Sequence, residues 1–286
     1  MGRRAARRYA GSIDGVKTLG YCKESVMEWI TPDWPVPETI KAVSTVRSGG
    51  VSRGPYAGMN LADHVGDQSA CVTHNRRILR QWLRLPSEPV WLQQVHGNRL
   101  VQAERAAPGE QADASYTARR NIVCVVMTAD CLPVLLYERR SGTVAAVHAG
   151  WKGLAAGILY HALDTVAGGN WIAWLGPAIG PGAFEVGDAV RAALLSHADR
   201  VTACFIPNGA HRWRADLCEI ARILFRAHGV QQVYGGGFCT FTDSDRFFSY
   251  RRDGATGRMA TLIWVSDDRG QETDEMPRSH AGESLH

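Results

Sequence analysis

Three side chains that can bind a transition metal follow apolar segments of this sequence. His96 lies in QQVHG, Cys131 in TADCLP and His148 in AVHAGWKG. Two imidazoles and a thiolate suit zinc, and three protein ligands leave the fourth tetrahedral position open, as in catalytic sites. Such a metal polarises a bound oxygen and lowers the pKa of bound water to about 7. The ligands lie far apart in sequence, unlike those of a compact zinc finger, so the fold must assemble the site.

The same residues also allow chemistry without a metal. Cys131 can act as a thiolate nucleophile, with His148 or His96 as its base and Asp130 as a helper or proton carrier. Histidines that follow strands also commonly serve only as hydrogen-bonded residues, and lone cysteines are commonly just buried. Because metal ligation and nucleophilic attack by one sulfur atom are nearly exclusive, a metal assay separates the two hypotheses.

Other polar side chains are candidates for binding a substrate. Arg47 and Lys152 each place a cation beside glycines, which suits an anion such as phosphate, although glycine turns with solvated charges explain the pattern too. In FFSYRRDGATGR, strand alternation over 246–252 directs adjacent arginines to opposite faces, and we take Arg251 as the one that reaches the site. Asn60 in NLADHVGDQ, Gln93 in WLQQVHG and Asp130 in TADCLP complete the substrate-binding candidates.

Alternating apolar segments predict the elements that position these residues. IVCVVM within 122–127 is a continuous apolar run, typical of a strand buried on both faces. Residues 134–137 and 143–147 predict a hairpin. Further strands are predicted at 40–46, 90–95, 171–175, 246–252 and 258–265, and helices at 75–85, 154–166, 188–196 and 216–228. This order predicts a mixed α/β (α+β) domain with its site where strand ends meet.

Length and composition limit the classes of protein to which the chain can belong. With 286 residues and 45% hydrophobic residues, it can bury a large core. We predict one domain over 27–266, a non-native or disordered extension over 1–26, and a flexible polar tail over 267–286. The net charge of +4 comes largely from MGRRAARR, so the near-neutral body does not predict nucleic-acid binding.

The sequence has no apolar run of the roughly 18 residues needed to cross a membrane, and no secretory signal follows its basic start. Its seven cysteines are scattered and do not form a disulfide framework. These features predict a cytoplasmic protein, either a monomer or a small homo-oligomer.

Seven motifs identify a family resemblance. WLQQVHG, ADASYT, TADCLPVLL, VAAVHAGWKGL, WLGPAIGPGAFEVG, CTFTD and FFSYRRDGATGRMA occur in this order. They resemble the YfiH-type family, formerly labelled multicopper polyphenol oxidase or laccase-domain protein and now treated as purine nucleoside phosphorylase. The likeness spans about 41–265, and NLADHVGDQ over 60–68 is a mild departure from it.

The resemblance implies zinc at His96, Cys131 and His148, with nucleoside and phosphate as small-molecule partners. It implies phosphorolysis of adenosine, inosine, guanosine and methylthioadenosine, together with adenosine deamination. The implied fold is a mixed α/β fold also likened to cysteine hydrolases. Because relatives have also been linked to editing of peptidoglycan precursors, a zinc or cysteine amidase is the alternative.

Ligand counting disfavours the older oxidase label. A laccase needs a blue copper and a trinuclear cluster, supplied by about ten histidines in His-x-His pairs. The sequence has ten histidines, none of them in a His-x-His pair, and His280 and His286 lie in the tail. Multicopper oxidation is therefore not predicted, and any copper at the His/Cys/His site would be adventitious.

Overall fold

A computed structural model of the chain describes residues 28–166, 168–196 and 199–267. The predicted extension over 1–26 and nearly all of the predicted tail lie outside these residues. The described strands are β1 Trp29–Ile30, β2 Ile40–Thr45, β3 Leu100–Gln102, β4 Ala114–Thr117, β5 Cys124–Thr128, β6 Leu132–Glu138, β7 Val144–Ala149, β8 Trp171–Leu175, β9 Glu185–Gly187, β10 Phe205–Pro207, β11 Arg212–Ala215, β12 Gln232–Gly235 and β13 Met259–Val265. The described α-helices are α1 Ser69–Trp82, α2 Trp151–Ala155, α3 Ile158–Thr165, α4 Asp188–Leu195, α5 Leu217–Ala227 and α6 Tyr250–Asp253.

The strands form three sheets. The largest has the order β12-β8-β6-β7-β4-β3, the second has the order β1-β2-β13-β5, and the smallest has the order β10-β11-β9. The second and smallest sheets are antiparallel throughout, whereas the largest has parallel pairs at both ends, β12 with β8 and β3 with β4. The predicted mixed α/β single domain is therefore confirmed.

Strand alternation divides the core into layers. Along β6, Val134 and Leu136 face a cluster that includes residues of α3 and α5, while Leu135 faces the second sheet. Cys124 and Val126 of β5 meet Leu135 from that second sheet. The outer face of the second sheet packs against α1. The order of layers is thus helix, sheet, sheet, helix, and the central strands are apolar on both faces because both faces are covered.

Most predicted elements are present. The strands predicted at 40–46, 122–127, 171–175 and 258–265 and the hairpin of β6 and β7 are confirmed. The helix predicted at 75–85 begins earlier, at Ser69, and those predicted at 188–196 and 216–228 correspond to α4 and α5. Asp216 caps α5 because its side chain accepts a hydrogen bond from the Glu219 amide. Within the described residues, no helix is both long and apolar enough to cross a membrane.

Three predicted elements were wrong. Residues 90–95 form no strand and make only isolated bridges at Val90 and Gln93. The helix predicted at 154–166 is divided into α2 and α3, because Gly157 has a left-handed φ of 78°. The strand predicted at 246–252 is absent, and α6 lies there instead, with the Ser249 side chain accepting a hydrogen bond from the Arg252 amide. Strand alternation therefore does not describe the arginine pair.

Candidate metal centre

The three predicted ligands meet where the second sheet passes into the largest sheet. Cys131 lies in the connection between β5 and β6, and His148 lies within β7 opposite Pro133 of β6. Potential ligand atoms of His96, Cys131 and His148 lie within 4.8 Å of one another. His148 is buried, Cys131 is half-buried and His96 is exposed, so the group opens towards solvent on one side.

A buried carboxylate orients His148. The Asp113 side chain is fully buried, and its Oδ1 lies 2.8 Å from Nδ1 of His148. A carboxylate only accepts hydrogen bonds, so Nδ1 carries the proton and Nε2 is left for the metal or for Cys131. The His148 amide also donates to the Asp113 carbonyl at 2.7 Å. Histidines that bind a metal usually have such a carboxylate or carbonyl partner at the other ring nitrogen.

The same carboxylate also fixes His96. Oδ1 of Asp113 accepts a hydrogen bond from the His96 amide at 2.9 Å, and Oδ2 accepts one from the Gly97 amide at 2.7 Å. These bonds hold His96 at a left-handed φ of 61°, which is unusual for a residue other than glycine. The backbone of the candidate ligand His96 is therefore strained, and its bonds to Asp113 keep it in this conformation.

Gly150 leaves room for the group. A Cβ at Gly150 would lie 2.9 Å from Sγ of Cys131 and 3.2 Å from Cδ2 of His96. Any other residue would push these ligands out of place, so glycine is needed here because of its size. The donor set, the tautomer of His148 and the cradle at Gly150 together fit a bound zinc ion.

Charge interactions favour a thiolate at Cys131. Burial raises the pKa of the Cys131 thiol, but the charge of His148 and hydrogen bonds from His148 and His96 lower it to about 6. Burial lowers the pKa of His148, but the charge of Cys131 and the hydrogen bond to Asp113 raise it to about 9. Burial likewise raises the pKa of Asp113, but hydrogen bonds from His148 and backbone amides keep it below its usual value. The sulfur is therefore prepared to act as a ligand or a nucleophile.

Asp130 adjoins the group but is fully engaged. Its Oδ1 accepts a hydrogen bond from the Thr240 hydroxyl, and its Oδ2 accepts one from the Arg251 amide, both at 2.6 Å. Ile179 donates its amide to the Asp130 carbonyl at 2.9 Å. Asp130 thus ties α6 and two loops to the chain that carries Cys131.

The three predicted cations occupy different settings. The guanidinium of Arg47 donates to the Ser244 carbonyl and lies over the ring of Phe248. Lys152 is exposed on α2, immediately after Trp151, and its Nζ lies 5.7 Å from the centre of that ring. Arg251 donates from Nη1 to the Glu185 carbonyl at 3.0 Å. Among the described residues, these three cations therefore share no hydrogen-bonding or ring-contact partner.

Asn60 and Gln93 have hydrogen-bonding and cleft partners other than the three candidate ligands. Asn60 is fully buried, and its amide is bonded to Ala62, Asp67 and the Arg258 amide. Gln93 is exposed and lines a separate cleft of about 550 Å³ with Arg76 and Trp91. Neither residue has a hydrogen bond to His96, Cys131 or His148 among the described residues.

Sequence reasoning missed the residues that hold the ligands in place. Asp113 lies in ADASYT, where an acidic residue between alanines precedes β4, which is a readable signal for a buried carboxylate. Gln94 donates to the Met127 carbonyl at 2.8 Å and accepts from the Met127 amide at 2.7 Å. Its side chain thereby attaches the segment before His96 to the edge of β5. The sequence pattern had predicted the adjacent Gln93 instead.

Known proteins share this sequence along nearly the whole body. Residues 41–266 match the family model described as multi-copper polyphenol oxidoreductase laccase. A purine nucleoside phosphorylase of Pseudomonas aeruginosa is 49% identical over 242 residues, covering 84% of this chain and 99% of that protein. The purine nucleoside phosphorylase YfiH of Escherichia coli is 47% identical over 239 residues, covering 82% of this chain and 98% of its own. The chain belongs to the YfiH family.

Solved structures of YfiH-family proteins have the same fold. A crystal structure of a Neisseria meningitidis protein superposes with a TM-score of 0.80 at 45% identity, covering 84% of this chain and 99% of that one. YlmD from Geobacillus stearothermophilus superposes with a TM-score of 0.78 at 31% identity, covering 84% and 97%. The family predicted from the seven motifs is therefore confirmed.

Proposed function

We propose that this YfiH-family chain is a zinc-dependent purine nucleoside phosphorylase that also deaminates adenosine. Its proposed nucleosides are adenosine, inosine, guanosine and methylthioadenosine. The convergence of His96, Cys131 and His148, with ligand atoms within 4.8 Å, is the observation that carries the proposal. The names of the relatives, purine nucleoside phosphorylases in P. aeruginosa and E. coli, support it.

The chain's own residues would supply both the zinc ligands and the carboxylate that orients one of them. His148 would bind zinc through Nε2 because Asp113 occupies Nδ1, and His96 would complete the set with Cys131. Zinc bound there would supply Lewis-acid polarisation of a bound oxygen. The exposed side of the group, at His96, is where a nucleoside would enter.

The two proposed reactions break different bonds. In phosphorolysis, a phosphate oxygen bonds to the anomeric carbon of ribose while the bond to the purine nitrogen breaks, giving ribose 1-phosphate and a free purine that gains a proton. In deamination, water replaces the amino group of adenosine, giving inosine and ammonia. Arg47, Lys152 and Arg251 remain the proposed cations for phosphate, with Gln93 as a proposed substrate contact. Asn60, predicted as a substrate contact, is fully buried with its amide engaged, so we assign it a positioning role instead. Because both oxygens of Asp130 are engaged, we assign it the positioning of α6 and Cys131 rather than proton transfer.

The decisive experiment measures metal and products together. Zinc stoichiometry is determined on the purified protein, which is then incubated with adenosine in the presence and absence of phosphate, and the products are separated by chromatography. Adenine that forms only with phosphate supports phosphorolysis, and inosine formed without phosphate supports deamination. One zinc per chain is expected. Neither product, or full activity without metal, would overturn the proposal.

A thiol hydrolase is the second candidate, because His148 lies between Asp113 and Cys131 and contacts both, as the histidine of a Cys-His-Asp triad does. The lowered pKa of Cys131 beside His148 favours this alternative, a zinc or cysteine amidase acting on peptidoglycan precursors and akin to cysteine hydrolases. Release of an amino acid from a nucleotide-linked muropeptide, without release of a free base, would support it. If alkylation of Cys131 in metal-free protein abolishes this amidase activity, the Cys131 thiolate and not zinc would carry the reaction.

The oxidase in the family model's description is not proposed. In the described part of the chain, His96, Cys131 and His148 form the only three-ligand group of metal-binding side chains. A multicopper oxidase needs a mononuclear and a trinuclear centre, which one such group cannot supply.

We also propose a cytoplasmic location for the enzyme. The described cysteines at 71, 124, 131, 204, 218 and 239 are all free thiols, which supports a reducing compartment. Cys22 lies outside the described residues. Gel filtration with light scattering would determine whether the protein is the proposed monomer or small homo-oligomer.

A further inference from the structure

Arg258 lies at the same end of the second sheet as the metal centre. It immediately precedes β13, whose first residue, Met259, pairs with Thr128, the last residue of β5. From Thr128 the chain runs through Asp130 to Cys131 within three residues. The topology therefore places Arg258 beside the connection that carries the sulfur ligand.

The guanidinium of Arg258 is anchored at one nitrogen only. Its Nη1 donates to the carbonyls of Thr256 and Gly257, at 2.8 and 3.0 Å. Within the described residues, its Nε and Nη2 have no protein acceptor and no carboxylate lies within ion-pair distance. By contrast, Arg252 uses Nε, Nη1 and Nη2 on protein oxygens. The Nε and Nη2 hydrogens form one fork of the guanidinium, and this fork matches two oxygens of a phosphate.

Charge and burial suit this side chain to bind an anion. Arg258 is half-buried, and burial lowers its pKa, while the charges of Cys131 and Asp130 oppose that change. Its guanidinium carbon lies 5.9 Å from the centre of the exposed Tyr250 ring. A partly desolvated cation interacts with an anion more strongly than a solvated one does.

A buried polar network fixes the backbone of Arg258. The Arg258 amide donates to Oδ1 of Asn60 at 3.0 Å, and the Asn60 carbonyl accepts a hydrogen bond from Asn75 of α1 at 2.8 Å. Asn60 and Asn75 are both fully buried. A Cβ at Gly257 would lie 2.9 Å from Cβ of Asn60, so the turn is tightly packed. The guanidinium is thus held on a rigid base, which reduces the entropy lost on binding.

We propose that Arg258 binds the phosphate co-substrate beside the metal centre, through the free Nε and Nη2 edge of its guanidinium. This assignment rests on the proposed function and adds a residue to it. Asn60 then acts as a positioning residue, because it holds the Arg258 backbone. Arg47, Lys152 and Arg251 become secondary to Arg258 for this contact.

The test compares Arg258→Ala and Arg258→Lys with Arg214→Ala, which removes an exposed arginine of β11. KM for phosphate and KM for inosine are measured in phosphorolysis, together with zinc content and thermal unfolding. Arg258→Ala should raise KM for phosphate by about tenfold or more, the effect of losing a charge-assisted pair, with KM for inosine nearly unchanged. Arg258→Lys should fall in between, because lysine keeps the charge but not the fork. Arg214→Ala should behave as wild type.

Direct binding separates this inference from the proposed function. Inorganic phosphate is titrated calorimetrically into zinc-loaded wild-type protein and into the folded Arg258→Ala and Arg258→Lys variants. Phosphate binding by wild type that is lost in Arg258→Ala supports the assignment even if no nucleoside is cleaved. An unchanged affinity for phosphate, or equal losses for phosphate and inosine, would overturn it. If wild type cleaves inosine with phosphate and both Arg258 variants have the same KM for phosphate as wild type, the assignment of Arg258 is overturned. The proposed function would still stand in that case.

Discussion

Oδ1 of Asp113 and Nδ1 of His148 are 2.8 Å apart, and this hydrogen bond joins a fully buried carboxylate to a buried imidazole. The same carboxylate accepts the backbone amides of His96 and Gly97. One side chain therefore orients two of the three candidate ligands, although it does not belong to the three. The geometry of the candidate metal centre therefore depends on Asp113 as well as on the three candidate ligands.

Replacing Asp113 with asparagine should weaken metal binding without removing a ligand. The neutral amide cannot accept from both the His148 ring and the two amides, so the histidines lose their orientation. Zinc affinity should fall by about 10–100-fold, and the free energy of unfolding by about 1–3 kcal/mol. Chelator competition measures the affinity and urea denaturation measures the stability.

Asp188→Asn is the matched control for this variant. Asp188 also binds a histidine ring, accepting from Nδ1 of His211 at 2.6 Å, but this pair is exposed and, among the described residues, has no hydrogen bond to the three candidate ligands. The zinc affinity of Asp188→Asn should equal that of wild type. Equal affinities in Asp113→Asn and wild type would show that Asp113 does not orient the ligands.

Gly150→Ala should disturb the site by adding one methyl group. The new Cβ would lie 2.9 Å from Sγ of Cys131, so the sulfur or the backbone must move. We expect zinc affinity to fall by about tenfold, a loss typical of misoriented ligands. Gly182→Ala is the control, because a Cβ at Gly182 meets nothing within 4 Å. If Gly150→Ala binds zinc with the same affinity as Gly182→Ala and wild type, a Cβ at Gly150 does not displace the ligands.

Cys131→Ser tests whether the sulfur binds metal. A hydroxyl is a poor zinc ligand compared with a thiolate, so zinc stoichiometry, phosphorolysis and deamination should all fall to background. Metal-free wild-type protein, prepared with a chelator, should lose both activities and regain them when zinc is added. Full phosphorolysis by the metal-free protein would contradict a role for zinc in that reaction.

Glu138→Gln should destabilise the hairpin of β6 and β7 at neutral pH. Glu138 is fully buried, and its Oε2 accepts hydrogen bonds from the Arg140 amide and from the amide and hydroxyl of Ser141. Burial raises the pKa of Glu138, but these bonds and one from the Asn170 amide lower it overall. Loss of the charge should cost about 1–3 kcal/mol of unfolding free energy.

The pH dependence of this effect has a defined sign. The folded-state pKa of Glu138 lies below its unfolded value, so its contribution is complete above the unfolded pKa. The contribution is lost as the pH falls through the folded pKa. The difference in stability between wild type and Glu138→Gln should therefore be largest at neutral pH and shrink in acid. Urea denaturation across this pH range measures it, and a constant difference would refute the explanation. The exposed Glu88→Gln change provides the control.

The incorrectly predicted elements show where local patterns fail. Alternation over 90–95 is compatible with a strand, but a strand needs a partner backbone, and the edge of β5 there is bonded to the side chain of Gln94. Over 246–252, Asp130 and Ser249 accept the amides that begin α6. In both cases the competing hydrogen bond comes from a side chain, and for α6 one of these lies more than a hundred residues away. The break at Gly157 had a local signal in the glycine itself, and α6 had one in its capping residue Ser249.

The sequence by itself determined the donor chemistry, the family and most strands and helices. Ligand type, apolar runs and capping residues act over a few residues, and the seven motifs are specific. Tertiary structure alone decided that His96, Cys131 and His148 meet, because their meeting depends on how two sheets stack and on where β5 crosses to β6. It also decided that Asp113 holds two ligands and that Arg258 lies beside the third. These relationships join residues distant in sequence through buried hydrogen bonds and strand pairing, which no local pattern encodes.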